Sequence, residues 1–244
     1  MMGPKKWIVF GATSAIATAV LREAAPDGIE ATLVSRTQAD LDRLAKDLSV
    51  RGAARVRTIA WDVSVTQRQG ELFSTLGTFE FDAVFVAYGT LPDQAACEAD
   101  PTLAARAIEV NFTSTAALLL HVANAMRGPG TIGVITSVAG ELGRRSNHVY
   151  GSAKGGLSIF LSGLRARLFA RGIGVVDIRP GFIDTPMTAA FKKGPLFATP
   201  ERIAPKILRA MRRQRAVVHV PWFWRWILWA LRRLPHKVLY RLPI

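Results

Sequence analysis

A chain of 244 residues, half of them apolar, holds enough hydrophobic material for one sizeable core, which excludes intrinsic disorder. Its 20 Gly and 13 Pro follow no strict period, and its single cysteine, Cys97, closes no intrachain disulfide, so collagen-like and disulfide-stapled architectures are excluded as well. The formal charge of +14 is unevenly placed: the 43 residues from Arg202 to Ile244 hold 11 of the 32 Lys and Arg and no acid, leaving the rest of the chain nearly neutral.

The N-terminal segment, with Lys5 and Lys6 before an apolar run from Trp7 to Leu21, imitates a secretory signal but parses better as a strand, a turn and a helix. Trp7–Phe10 is a short continuous apolar run, the mark of a strand buried on both faces. Gly11 breaks it, and Ile16, Val20 and Ala24 then recur at helical spacing. A second strand, Ala31–Ser35, completes a β-α-β unit of about thirty residues. Leu41, Leu44, Ala45 and Leu48 form a helical stripe, Val56–Trp61 a strand, Thr66–Leu76 a helix and Phe81–Ala87 a strand. A long helix is expected from Pro101 to Ala125, then a strand at Thr131–Ser137, a helix at Val149–Arg171 and a strand at Gly174–Pro180. The looser stretch from Gly181 to Ala198 has the length of a substrate loop or lid. Thr199-Pro200-Glu201 has the composition of a helix start, with Pro205 placed to delay the first regular turn, and Ala216–Pro221 reads as a last strand. This alternation predicts an α/β fold: a Rossmann-type, doubly wound, mostly parallel seven-stranded sheet with helices on both faces, plus a C-terminal amphipathic tail. Residues 1–221 are expected to form this α/β domain and residues 222–244 a basic, Trp-rich extension.

The first turn, Gly11 to Ala17, lies between strand and helix. A glycine there lets backbone N–H groups approach a pyrophosphate, and the helix N-terminus adds about half a positive charge toward it; taken alone, it is equally an ordinary tight turn. Ser35 and Arg36 end the second strand, where a dinucleotide's adenosine ribose is read, and no acid stands there to accept the ribose hydroxyls. A cation at that point favours a 2′-phosphate, hence NADP(H) over NAD(H); its plain alternative is a solvated arginine. Asp62-Val63 and Ala87-Tyr88-Gly89 end the third and fourth strands. Ser137 ends the fifth, and Tyr150 and Lys154 follow on a helix at i and i+4, on one face. An ammonium beside a phenol stabilises phenolate and lowers a pKa that starts near ~10, which makes Tyr150 a general acid for a ketone. Ser137 then holds the carbonyl oxygen and Lys154 the nicotinamide ribose. A lone Tyr-x-x-x-Lys is otherwise a surface pair.

Over roughly Trp7 to Pro221 the chain resembles the short-chain dehydrogenase/reductase family. The Gly-rich turn, Asp62, Ala87-Tyr88-Gly89, Asn111, Ser137, the Tyr150/Lys154 pair and the run from Arg179 through Pro180 to Thr185 come in the family's order. The resemblance implies an NAD(P)-dependent oxidoreductase acting between CH–OH and C=O, usually a homodimer or homotetramer. It makes Tyr150 the acid/base, Lys154 the residue that orients ribose and tunes Tyr150, Ser137 the substrate-positioning residue and Asn111 the support of a proton relay through water. It implies a dinucleotide site of Gly11, Thr13, Ser14, Ala15, Ile16, Ser35, Arg36, Asp62, Val63, Ala87, Tyr88, Gly89, Tyr150, Lys154, Pro180, Gly181, Ile183 and Thr185, the last two on the nicotinamide carboxamide. The chain departs from the family in carrying Ala15 and Ala17 where the turn usually has Gly, and Val86-Ala87-Tyr88-Gly89 in place of Asn-Asn-Ala-Gly. A displaced pyrophosphate, or a helix standing off its strand, is the expected consequence.

Arg144 and Arg145, between Ser137 and Tyr150, and Lys192 and Lys193, in the later loop, flank the mouth of such a site. Cations there can clamp a phosphate, or be solvated surface charge. His148 has no metal partners, and no metal is expected. The segment Trp222–Leu234, interrupted by Arg225 and ended by Arg232-Arg233, falls short of the ~20 apolar residues a spanning helix needs. Trp and Arg at that density suit a helix lying in the headgroup region of an anionic membrane. The competing reading folds the tail over the substrate pocket or into a subunit interface; no motif supports nucleic-acid binding. Within the family, Ala87-Tyr88-Gly89, Arg144-Arg145, Val149–Ser152, Arg179-Pro180-Gly181 and the closing Leu234-Pro235 and Arg241–Ile244 are similar to reductases of a 2-keto-ribose carried on decaprenyl phosphate. That likeness implies a cytoplasmic enzyme, peripheral on the inner face of the membrane, reducing the keto-sugar of a polyprenyl-phosphate lipid. The lone cysteine agrees with a reducing compartment. The alternatives are a soluble reductase of ketones or 3-oxoacyl chains with the tail as a pocket lid, and a non-catalytic dinucleotide sensor or scaffold.

Overall fold

The computed structural model describes residues 6–241; Lys5 and the closing Leu242–Ile244 lie outside them. Its core is one seven-stranded sheet built from β1 (Lys6–Phe10), β2 (Glu30–Ser35), β3 (Arg55–Ala60), β4 (Ala83–Val86), β5 (Gly130–Ile135), β6 (Ile173–Pro180) and β7 (Val217–Val220). The order is β3-β2-β1-β4-β5-β6-β7, and each pairing is parallel, so the sheet is wholly rather than mostly parallel. The continuous apolar runs form its interior strands because both faces are covered.

Side chains alternate across β1. Trp7 and Val9 enter one hydrophobic cluster with α1 (Ala15–Ala24), α2 (Gln38–Val50) and α8 (Pro200–Arg212), while Ile8 and Phe10 enter the cluster on the other face. That second layer consists of α3 (Gln69–Leu76), α5 (Pro101–Ile108), α6 (Ser114–Ala125) and α7 (His148–Leu168). The strand order reverses direction between β1 and β4, which opens a crevice at the carboxyl ends of the strands.

Three segments depart from the sequence reading. The expected helix from Pro101 to Ala125 is interrupted by a π turn at Glu109–Thr113, and α4 (Gln94–Ala99) forms where no element was anticipated. Asp93 caps α4, its Oδ1 accepting from Ala96 N at 2.8 Å. Pro205 does not delay α8, which starts directly at Pro200 with the Thr199 hydroxyl accepting from Arg202 N at 3.3 Å. A proline there deletes a single helical bond, the one that would end on the Glu201 carbonyl. Burial of Ile203, Ala204, Ile207 and Met211 holds the helix through that gap.

The tail forms α9 (Trp224–Leu231) and α10 (His236–Leu239), and α9 folds back onto the body of the molecule.

Candidate active site

Beyond β5 the chain bends at Ser137 into a 3-10 turn, Val138–Glu141. This turn lies flat on α7 because glycines clear the contact. A Cβ on Gly151 would stand 2.8 Å from the Ala139 oxygen, one on Gly155 2.7 Å from the Gly140 oxygen, and one on Gly140 2.5 Å from the Gly155 nitrogen. The close approach brings the Ser137 hydroxyl near enough to the Tyr150 phenol to act on its pKa. Ser137 Oγ also accepts from Ala139 N at 3.0 Å, which fixes the hydroxyl's direction. In the first turn of α7, Val149 N donates to Gln94 Oε1 at 3.2 Å, so the unanticipated α4 anchors the turn of helix that carries Tyr150.

Lys154 is buried and donates from Nζ to the Ile135 carbonyl at 3.3 Å, with Nζ 6.0 Å from the Tyr150 ring centroid. Asn111 sits inside the π turn, the kind of local widening that accompanies functional sites. Its amide nitrogen donates to the carbonyls of Ala107 and Thr90, both at 2.9 Å, and its oxygen accepts from Thr90 N at 3.1 Å. Gly89 marks where these groups converge: a Cβ there would lie 2.7 Å from Asn111 Oδ1 and 3.3 Å from Lys154 Nζ. Ser137, Tyr150, Lys154, Asn111 and Gly89 thus gather at the carboxyl ends of β4 and β5.

The protonation balance differs from the sequence expectation. Burial pushes the Tyr150 phenol up to about 12, against a smaller opposing effect of the Ser137 hydrogen bond. Burial also pushes Lys154 down to about 8, with the nearby Asp177 carboxylate acting in the opposite sense. Loss of hydration outweighs attraction between the two groups. Tyr150 is therefore held as a neutral phenol, the form able to donate a proton.

The crevice beside this cluster fits a dinucleotide. Gly11 has φ +75°, and a side chain there would strike Tyr88 at 2.8 Å, so only glycine keeps that turn close to β4. Ser14 caps α1 by accepting from Ala17 N at 3.2 Å, which leaves the first helical N–H groups, those of Ala15 and Ile16, for an anion. Ala17 is fully buried in the core, so its methyl packs between helix and sheet. Ala15 instead lines a cleft of about 470 Å³ with Thr185, Pro186 and Lys193. Of the two departures, only Ala15 meets the space a pyrophosphate would use.

Thr13 and Ser35 are joined hydroxyl to hydroxyl at 2.7 Å, and Arg36 is exposed at the end of β2. Asp62 turns into its own loop, accepting from Ser64 N at 3.0 Å and from the Ser64 hydroxyl at 2.6 Å, beside buried Val63. Ala87 is buried, and the Tyr88 phenol turns toward Ser114, 3.2 Å away, where burial pushes it up to about 12. Pro180 and Ile183 are buried, Gly181 N donates to the Val220 carbonyl at 2.9 Å, and Thr185 caps a short 3-10 turn, Pro186–Thr188.

The four cations expected at the mouth behave differently. Arg144 is partly buried with no partner at Nε, and burial pushes its pKa down, whereas Arg145 and Lys192 are exposed. Lys193 is engaged by Asp184 at 2.6 Å.

Sequence reasoning passed over several residues that build this site. Gly140, Gly151 and Gly155 were visible only as small residues near a Tyr-x-x-x-Lys pair. Glu141 and Asp177 carry no motif of their own, and Arg179 and Trp224 stand out only as members of a longer motif and of the Trp-rich tail; all four matter through partners distant in sequence.

Comparison with known proteins shows the family of the chain. Residues 5–195 match the family model of the short chain dehydrogenases. An uncharacterized oxidoreductase of Mycobacterium tuberculosis is 37% identical over 240 residues, covering 97% of this chain and 96% of that protein. One from Streptomyces coelicolor is 34% identical over 245 residues, covering 99% and 97%. A very-long-chain 3-oxoacyl-CoA reductase of Danio rerio is 30% identical over 217 residues, covering 83% of this chain and 66% of that one. A short-chain type dehydrogenase/reductase structure from Mycobacterium ulcerans superposes with TM-score 0.77 at 20% identity, covering 88% of each chain. The fold and the converging polar groups define a dinucleotide-dependent α/β enzyme. The chain belongs to the short-chain dehydrogenase/reductase family and is an NAD(P)-dependent oxidoreductase.

Proposed function

We propose that this enzyme reduces a ketone by general-acid catalysis from Tyr150. The observation that carries the reading is the placement of the Ser137 hydroxyl near the Tyr150 phenol, beside buried Lys154, at the mouth of the dinucleotide crevice. A nicotinamide dinucleotide held in that crevice would supply the hydride for the carbonyl carbon. Ser137 donates a hydrogen bond to the carbonyl oxygen, and Tyr150 transfers its phenolic proton to the same atom. Lys154 stabilises the phenolate left behind, and Asn111 holds a water path by which Tyr150 regains its proton. Tyr150→Phe removes the donor and should lower turnover by about 10²–10⁴-fold. NADPH affinity, followed by nicotinamide fluorescence, should stay within a few fold; retained turnover sinks the mechanism.

Arg36, exposed and in no ion pair among the described residues, supports NADP(H) as the preferred cofactor. A charge-assisted contact with the 2′-phosphate is worth about 1.5–3 kcal/mol. Arg36→Ala should therefore weaken NADPH binding by about ten- to a hundred-fold and leave NADH binding unchanged.

The substrate we favour is a carbonyl on a hydrophobic carrier, in particular the keto-sugar of a polyprenyl-phosphate lipid, as in the decaprenylphosphoryl-2-keto-ribose reductases. Arg144 with its unpartnered Nε, together with Arg145 and Lys192, supports a phosphate clamp; Lys193 contributes less because Asp184 neutralises it. The exposed faces of Trp222, Trp226 and Trp229, with Arg225 and Arg233 stacked on the latter two rings, support a peripheral site on the cytoplasmic face of an anionic membrane. Long-chain 3-oxoacyl thioesters are the second reading, favoured by the Danio rerio relative. Exposed Leu103, Ile108 and Leu120 on the α5–α6 segment, and Ile159 on α7, support a homo-oligomer.

A further inference from the structure

We propose that Trp224 and Arg232, both in the C-terminal tail, are positioning residues that set the Ser137 turn and the Gly181–Thr185 loop. This rests on the reading of Ser137 and Tyr150 as the reacting pair.

The apolar half of the argument is the inner face of α9. Trp224 and Leu228 are buried against Val138, with Phe182, Phe223 and Ile227 around them. Val138 directly follows Ser137, and Phe182 lies between Gly181 and Ile183, so a single helix touches both walls of the site. The Trp224 indole lies on the backbone of Gly181: a Cβ on that glycine would stand 1.9 Å from Nε1. The Phe182 ring meets the indole edge-on at 5.2 Å. Trp224 Nε1 is buried without a hydrogen-bond partner, so packing alone holds the ring.

The polar half is an ion cluster under the same turn. Glu141 closes the turn with its side chain only 8% exposed, and it meets Arg179 at 3.2 Å, His219 at 2.5 Å and the tail's Arg232. Asp177, 1% exposed, binds Arg179 at 2.7 Å and accepts from Thr136 Oγ1 at 2.5 Å. Thr136 precedes Ser137 and Glu141 ends its turn, so the cluster grips the catalytic serine from both sides. Burial and the Arg179 charge push His219 down to about 4, which leaves it neutral. Arg179 and Arg232 are therefore the two full positive charges in direct contact with the carboxylates of Asp177 and Glu141, while Lys154 and Arg165 act on Asp177 without contact. Without Arg232, buried Glu141 keeps only the guanidinium it shares with Asp177 and a neutral His219, and a buried carboxylate left short of positive charge is unfavourable. The turn relieves that cost by lifting Glu141 toward water, and Ser137 moves with it.

Hydrogen exchange on the full-length chain, with no cofactor or substrate present, tests this. The reporters are the amides of Ala139 and Gly140, bonded to Ser137 Oγ and Ser137 O, and of Gly181, bonded to Val220 O. Arg232→Gln should speed exchange at Ala139 and Gly140 by about ten-fold or more while β1 and β2 amides keep their wild-type protection. Arg232→Lys, which retains the charge, should restore most of the protection. Trp224→Ala should speed exchange at Gly181 as well, with Trp224→Phe intermediate. Unchanged exchange at these amides, a rise shared equally by β1 and β2, or no rescue by lysine overturns the proposal. An active Tyr150→Phe enzyme would instead defeat the catalytic reading and leave these exchange rates untouched.

Discussion

The two ends of the chain use glycine in the same way for different ends. At the first turn, Gly11 lets the chain after β1 pass close to Tyr88, at the turn proposed to hold the cofactor phosphates. At the far wall, Gly181 lets an indole from the tail rest on the backbone. The first glycine serves a contact within the β-α-β core, whose pattern is local and periodic. The second serves a contact that exists only because α9 returns across the molecule. A backbone left bare in sequence thus reads as a cofactor cradle in one place and as a seat for the chain's own side chain in the other.

Substituting the two glycines should separate these roles. Gly181→Val puts a branched side chain where the indole lies, and overpacking of that kind costs about 1–3 kcal/mol, with α9 displaced. Urea unfolding should show the loss, and limited proteolysis should cut the tail first. Gly11→Ala carries both the strain of φ +75° and the contact with Tyr88. It should reduce NADPH affinity while leaving the tail protected. If Gly181→Val spares the tail, the packing of Trp224 on this loop is wrong.

The charges at the two ends differ as well. Lys154, pushed down to about 8 by burial, has its ordinary value at 10.5. Between those values the unfolded chain holds a proton that the folded chain has released, so stability rises with pH across that window, and the cost of burying the ammonium is felt in full below it. Function runs the other way under the proposed role of Lys154: NADPH affinity should fall above about pH 8, as the ammonium proposed to hold the ribose is lost. The groups around it are Tyr150 on α7, Asn111 in the π turn and Asp177 on β6. Asp177→Asn removes the carboxylate that supports the proton, so the alkaline limb of a binding titration should move to lower pH. A limb that stays in place would separate Asp177 from Lys154.

The legibility of the molecule follows the same division. The strands were readable because a parallel sheet covered on both faces demands continuous apolar runs, and Ser137, Tyr150 and Lys154 because their spacing is set by one strand end and one helical turn. The π turn at Asn111 was not readable, since nothing in Glu109–Thr113 differs in pattern from ordinary helix. Nor was α4, a six-residue element whose one buried residue is Cys97. The Tyr150 pKa went the other way from expectation because burial is a tertiary quantity: proximity of Lys154 to Tyr150 was legible, but the loss of water around both was not.

The tail is where sequence alone is most ambiguous, because a short helix of Trp and Arg looks the same whether its rings meet lipid or protein. The structure divides them: Trp224 is 4% exposed, while Trp222, Trp226 and Trp229 are 62%, 54% and 50% exposed. Deleting the tail would remove both faces together and so cannot separate membrane binding from support of the site. Substituting Trp222, Trp226 and Trp229 by Ala removes only the outer rings. Exposed substitutions of this kind each shift stability by no more than about 0.5 kcal/mol, so the melting temperature should barely move and Trp224 should keep its seat on Gly181. Sedimentation with vesicles containing anionic lipid should then show wild-type protein bound and the triple variant free, while neutral vesicles bind neither. Equal binding of both proteins would assign the membrane contact to another surface, and no binding by either would leave α9 with its inner face as the one that matters.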